Sequence, residues 1–244
     1  MLKDQILKVV VGSQAHGLAT PESDIDYRGV FICPLTDIVD MKHKDNTGNI
    51  QWYEDSTGEG KQDQSIYELK HFLNLAVGSN PSILEVLVSP VKESTPEGDE
   101  LRSLFPLLWS SLGVYSAFGG YSHNQLKKFI DEKDARPWKY MTARMRVLML
   151  GIELLRYGTM TVNVQDQYKL LEQHIRNDNL DFPVTDMRTY LRAIKTGQAS
   201  RGHAIDVSQH LSEQLKAAYD ANPNKLSDFD AANAFLLKMR KSHW

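Results

Sequence analysis

The chain has 244 residues, 41% of them hydrophobic and 24% charged, a balance that suits a folded protein with an ample core and excludes a disordered or fibrous one. A net charge of −3 excludes broad, charge-driven binding to polyanions but leaves room for a local basic groove. No apolar run reaches bilayer length and the start Met1-Leu2-Lys3-Asp4-Gln5 lacks a signal-peptide segment, so no membrane partner is expected.

Ile6–Val11 and Tyr27–Ile32 are short, apolar, β-branched runs and predict strands, the second closed by Pro34. The single cysteine, Cys33, has no internal partner for a disulfide; it reads as a small buried core residue in a reducing, cytoplasmic compartment. Asp37–Met41 reads as a helical turn or a strand edge. Ile50–Tyr53 is a strand or hairpin arm inside the polar stretch Lys42–Gly60, with Asp55–Gly60 expected to be mobile. Gln62–Ile66 predicts a strand, and Tyr67–Val77 carries its apolar residues at helical spacing. Gly78-Ser79-Asn80-Pro81 stops that helix and starts another, with Pro81 in its first turn.

Pro90–Gly98, with two prolines and a glycine among charges, is the expected domain boundary. Beyond it the pattern is helical: Gly98–Leu104, Trp109–Tyr115, Tyr121–Glu132, Pro137–Tyr157, Val164–Asn177, Thr185–Thr196, Ile205–Ala221 and Asp228–Arg240. Met141, Met145, Leu148, Ile152 and Leu155 form a regular stripe on the longest of these and read as core. The expected architecture is α+β: a small mixed sheet with flanking helices over residues 1–92, then a helical domain over 93–244 that completes a substrate cleft.

Chemistry concentrates near the N-terminus. The run Val9-Val10-Val11 ends in Gly12-Ser13, and Ser23-Asp24-Ile25-Asp26-Tyr27-Arg28 heads the next apolar run. A Gly-Ser turn leaving a strand offers backbone N–H groups and a hydroxyl to phosphate oxygens. In an extended strand Asp24 and Asp26 share a face, where two carboxylates call for a compensating cation; hard oxygen ligands select Mg²⁺ or Mn²⁺. A third carboxylate completes such a site, with Asp63, Glu54, Glu68 and Glu85 as candidates, Asp63 preferred because it precedes the helix starting at Tyr67. His16 and Arg28 flank the constellation, the first as a phosphate donor or loop brace, the second as a phosphate ligand or a partner of Asp26. Lys139 and Arg146, two helical turns apart, share a face that suits a triphosphate or an RNA backbone. No histidine stands at zinc-ligand spacing from a cysteine.

Gly12-Ser13-Gln14-Ala15-His16-Gly17-Leu18 followed by Thr20-Pro21-Glu22-Ser23-Asp24-Ile25-Asp26-Tyr27-Arg28-Gly29-Val30 resembles the signature of the DNA polymerase beta-like nucleotidyltransferase superfamily. It is most similar to the branch associated with RNA repair in bacteria and bacteriophages, and extends more loosely through Asn80–Glu85 and Lys139–Gly158. The resemblance implies metal-dependent transfer of an NMP from an NTP to an acceptor hydroxyl with release of pyrophosphate. It implies Asp24, Asp26 and Asp63 as catalytic metal ligands and Gly12, Ser13, His16, Arg28, Lys139 and Arg146 as nucleotide-binding residues. An RNA end is the implied acceptor, in the cytoplasm of a bacterial cell or phage-infected host. The alternatives are nucleotidylation of a protein or small molecule, or a non-catalytic nucleotide-binding or antitoxin-like module.

Overall fold

Among the described residues five strands form one mixed sheet in the order β3-β4-β2-β1-β5: β1 Gln5–Val11, β2 Asp26–Phe31, β3 Trp52–Thr57, β4 Gln62–Glu68 and β5 Val91–Ser94. The computed structural model describes residues 4–34, 38, 52–57, 62–132, 136–167 and 187–243, with the backbone alone for 52–57, 62 and 63. β2 is central, antiparallel to β1 and parallel to β4, and its lower half is buried, as its continuous apolar run requires. Phe31, Cys33 and Ile66 pack together beneath it. Cys33 is buried, as its apolar neighbours predict.

The chain divides into two compact units, residues 1–15, 19–109 and 226–244 in the first and residues 16–18 and 110–225 in the second. This differs from the 1–92/93–244 division expected from the sequence. The Pro90–Gly98 stretch is not a linker. Val91–Ser94 pairs with β1 as an edge strand, and Thr95 then caps a helix, its Oγ1 accepting from Gly98 N. A Cβ at Gly98 would collide with the Ile6 carbonyl oxygen, so the glycine lets that helix sit against β1.

In the first unit the helices are α1 Gly12–Ala15, α2 Leu69–Val77, α3 Pro81–Val88, α4 Pro96–Ser103 and, at the C-terminal end, α9 Phe229–Ser242. The predicted helix at Tyr67 begins two residues late, because Tyr67 and Glu68 complete β4. Glu68 caps α2 by accepting from Lys70 N at 2.7 Å, and its other oxygen accepts from Arg240 Nη2. Arg240 Nη1 donates to the Cys33 carbonyl at 2.7 Å, so one half-buried guanidinium ties α9 to Glu68 of β4 and to the segment after β2. Asn80 Oδ1 accepts from Ser82 N and Ile83 N at the start of α3, the cap that the Asn80-Pro81 pair predicts.

The second unit is helical: α5 Ser111–Ile130, α6 Pro137–Tyr157, α7 Met187–Lys195 and α8 Arg201–Ala221. α6 has its predicted bounds, and Met141, Met145, Leu148, Ile152 and Leu155 are all buried. The two helices expected at Trp109–Tyr115 and Tyr121–Glu132 are one. Gly119-Gly120 lowers helix propensity there, but packing of α5 on α6 carries the helix through. Glu153 is wholly buried on α6 and accepts from Thr159 Oγ1, Thr161 N, Thr161 Oγ1 and Gln167 Nε2, which folds the segment after α6 back onto it. Asp37–Met41, most of Lys42–Gly60, the end of Val164–Asn177 and the start of Thr185–Thr196 lie outside the described residues, Ile38 excepted. Among the described residues no helix is long and apolar enough to cross a membrane.

Candidate active site

Val11 is the last residue of β1 and pairs with Asp26, the first of β2. Gly12 then takes a left-handed conformation, φ +66°, which turns the chain out of the sheet into α1. A Cβ at Gly12 would overlap Asp26 Oδ2 and stand 3.2 Å from its Cγ. The Asp26 carboxylate therefore rests against the bare backbone of the Gly-Ser turn, an approach that only glycine permits. Asp26 is half-buried.

Asp24 stands differently from expectation. β2 begins at Asp26, so the two acids do not share an extended strand; Asp24 lies exposed in the irregular stretch before it. The reason is that β1 turns away at Gly12 and offers no partner to residues 24 and 25. Thr20 and Ser23 shape the preceding turn, with Ser23 N donating to Thr20 O at 3.0 Å and Thr20 N donating to Ser23 Oγ at 2.9 Å. Gln14 Nε2 on α1 donates to Ser23 O at 3.4 Å.

β4 runs parallel beside β2 with Gln64 opposite Tyr27 and Ser65 opposite Arg28. The same offset carries the backbone of Asp63 to the register position of Asp26. Among the competing acids, Glu68 is engaged with Arg240 and the α2 cap, and Glu85 is buried on α3. Arg28, half-buried, donates from Nη1 to the Ser82 carbonyl at 2.9 Å and so ties β2 to the first turn of α3.

His16 belongs to the second unit with Gly17 and Leu18. It is buried, and its carbonyl accepts from Val164 N at 3.2 Å. Gly17 is again left-handed, φ +68°, with Asn163 Nδ2 2.9 Å from where a Cβ would stand. Arg188 Nε donates to the Gly17 carbonyl and Lys195 Nζ to the Leu18 carbonyl, each at 3.1 Å. These two cations, one helical stripe on α7, were missed by the sequence reading. Their spacing shows only an amphipathic helix, and a carbonyl partner so far away in sequence leaves no trace there. Lys139 is exposed and Arg146 half-buried on α6, on the shared face their spacing predicts.

Among the described residues no group of three or more His, Cys, Asp or Glu side chains is gathered to hold a metal ion; Asp24 and Asp26 are the hard oxygen donors nearest the turn in sequence, the donor type that a divalent cation takes. In chemical terms the site couples a carboxylate to a glycine turn, an arrangement able to hold a cation and a phosphate side by side.

Residues 4–238 match the family described as RNA repair pathway DNA polymerase beta family, RlaP. An uncharacterized 38.9 kDa protein from the nrdC-mobD intergenic region of Enterobacteria phage T4 is 32% identical over 100 residues, covering 38% of this chain and 29% of that protein. A nucleotidyltransferase-like protein of Exiguobacterium sibiricum 255-15 aligns with 99% of this chain and 75% of its own, at 8% identity and a TM-score of 0.35. With a match that runs from the first strand through the last helix, the chain belongs to the RNA repair pathway DNA polymerase beta family, a group of nucleotidyltransferases.

Proposed function

We propose that the protein is a divalent-metal-dependent nucleotidyltransferase that moves an NMP from an NTP to an acceptor hydroxyl, releases pyrophosphate, and takes an RNA end as acceptor. The observation that carries this reading is the Asp26 carboxylate lying against Gly12 of the Gly-Ser turn. In this reading Gly12 and Ser13 bind phosphate oxygens through backbone N–H groups and the Ser13 hydroxyl. Asp24, Asp26 and Asp63 hold Mg²⁺ or Mn²⁺. That ion, when bound, neutralises triphosphate charge and makes the acceptor hydroxyl easier to deprotonate.

The remaining residues position and attract. Arg28 acts chiefly as a brace, since its bond to Ser82 O ties β2 to the first turn of α3. His16 belongs to the loop that carries the turn onward, and Arg188 and Lys195 fix that loop by its carbonyls. Lys139 and Arg146 attract the anionic substrates, and their contribution to RNA binding falls steeply with salt.

The test is incubation with each radiolabelled NTP, Mg²⁺ or Mn²⁺ and RNA with free 3′ hydroxyls. The expected products are labelled RNA and pyrophosphate, both absent with a folded Asp26→Asn protein. Label appearing on a protein or small molecule instead would replace the RNA acceptor. Wild-type transfer by Asp26→Asn would overturn the metal-ligand assignment, and NTP binding without transfer to any acceptor would make the chain a nucleotide-binding module.

A further inference from the structure

The helical unit holds a cation that the transferase reading does not use. Arg144, in the middle of α6, is 3% exposed. Its Nε donates to Ser208 Oγ at 2.9 Å, its Nη1 to Ser122 O and Oγ at 3.0 and 2.7 Å, and its Nη2 to Ser208 O and Ser212 Oγ at 3.3 and 2.9 Å. Every N–H is satisfied by a neutral acceptor, yet no carboxylate stands within ion-pair distance among the described residues. The hydrogen bonds are complete and the charge is not. Burial lowers the guanidinium pKa to about 10, the mark of a cation lacking an anion. Buried charges are ordinarily paired.

Arg144 lies in the wall of a cavity of about 390 Å³ between α5, α6 and α8, together with Gly119, Gly120, Ser122, His123 and Ser212. That volume falls within the range of small-molecule sites. Ser212 passes its own proton to Ser208 O, whereas Ser122 accepts from Arg144 and its proton has no acceptor among the described residues. A hydroxyl that accepts from a guanidinium is a stronger donor for it. The glycine pair supplies the second observation. Both are inside α5, where glycine is a poor helix former. A Cβ on Gly120 would meet nothing within 4 Å and one on Gly119 only Leu215 Cδ2 at 4.0 Å, so the protein's own packing does not require either glycine. By contrast a Cβ on Gly151 would stand 2.7 Å from Leu215 Cδ1, where packing does. Both glycines line the cavity, Gly119 half-buried and Gly120 at its exposed mouth.

We propose that this cavity is a binding site for a phosphate group, taken either as inorganic phosphate or on a nucleotide. The buried guanidinium supplies the compensating charge, the Ser122 hydroxyl donates a hydrogen bond, His123 stands at the rim, and the bare face of α5 leaves room for the body of the ligand. The site lies wholly within the helical unit and stands or falls independently of the metal-dependent chemistry assigned to the Gly12 turn.

The experiment follows backbone amide resonances of the full chain, in EDTA, during titration with inorganic phosphate, with adenosine 5′-monophosphate and with adenosine. Expected are shifts of the Gly119, Gly120 and Ser122 amides with the monophosphate, with phosphate itself or with both, and none with adenosine. Gly120→Leu places a bulky side chain across the cavity mouth while improving helix propensity, so it should fold with an unchanged or higher Tm and weaken binding by about ten-fold or more, a step of about 1.4 kcal/mol. Ser122→Ala should weaken it by a smaller factor. Equal shifts with adenosine and its monophosphate would overturn the proposal, as would shifts confined to Gly12 and Ser13, no shifts at all, or undiminished binding by Gly120→Leu.

Discussion

Gly12 separates two physical effects that one substitution usually confounds. Its φ of +66° costs an L-residue about 1–2 kcal/mol, and any Cβ there overlaps Asp26 Oδ2, forcing that side chain off its rotamer at about 0.5–1.5 kcal/mol. Gly12→Ala should therefore lose roughly 2–3 kcal/mol, a fall in Tm of roughly 4–12 °C for a chain of this size. Gly12→Asn carries the same Cβ but tolerates the left-handed region, so it should recover much of the stability. If displacement of the Asp26 carboxylate is what matters, both variants lose NTP transfer almost completely even though only Ala is strongly destabilised. Thermal melts and radiolabelled transfer assays on the three proteins measure the two effects separately. Wild-type transfer by Gly12→Asn would refute the reasoning, because it would show the site tolerating a side chain where the structure leaves none.

Arg240→Ala strips Glu68 of its buried cation and the Cys33 carbonyl of its donor, and should cost about 3–5 kcal/mol by denaturant titration; a loss below about 1 kcal/mol would mean that α9 is held by its apolar face alone. Arg188→Ala and Lys195→Ala should each reduce transfer with little change in Tm, and Arg188→Lys should restore part of it, whereas unchanged kinetics would make both purely structural. Tyr190 is pushed up to about 12, first by burial and then by the Asp206 charge, against 10.0 for a free phenol. A raised folded-state pKa means stability fully present below about pH 10 and lost as pH climbs toward 12. Thermal melts from pH 8 upward should show this loss in the wild type and a flatter profile in Tyr190→Phe, which also removes a buried hydroxyl without a hydrogen-bond partner; parallel profiles would exclude Tyr190 as the cause.

Local signals were enough for the elements that carry the chemistry. β-branched runs gave β1 and β2 because strand propensity and burial act on the same residues. The Asn80-Pro81 cap gave α3, and α6 followed from a stripe at helical period closed by Gly158 in the left-handed region. The Gly-Ser turn and the two acids stood out because they bring rare residue types together at short spacing. Even there the detail was decided in three dimensions: Asp24 falls outside β2 because strand β1 ends at Gly12 and stops pairing.

Other features depend on partners far away in sequence, and no local pattern encodes them. Pro90–Gly98 looked like a linker because its charges and prolines suit one, yet an exposed edge strand tolerates the same residues, and only pairing with β1 distinguishes the two. Trp109–Tyr115 and Tyr121–Glu132 read as two helices because propensity is local, whereas packing against α6 carries one helix through Gly119-Gly120. Glu68 seemed available as a metal ligand until Arg240 reached it across the unit, and Arg144 seemed one more cation in a basic helix until three serines on two other helices enclosed it. The sequence by itself determined strands β1, β2 and β4 and the helix α6, since those rest on periodicity and short-range spacing. Which charges are spent on structure and which remain for ligands was settled only by the tertiary fold, because charge compensation is a property of the neighbours that folding supplies.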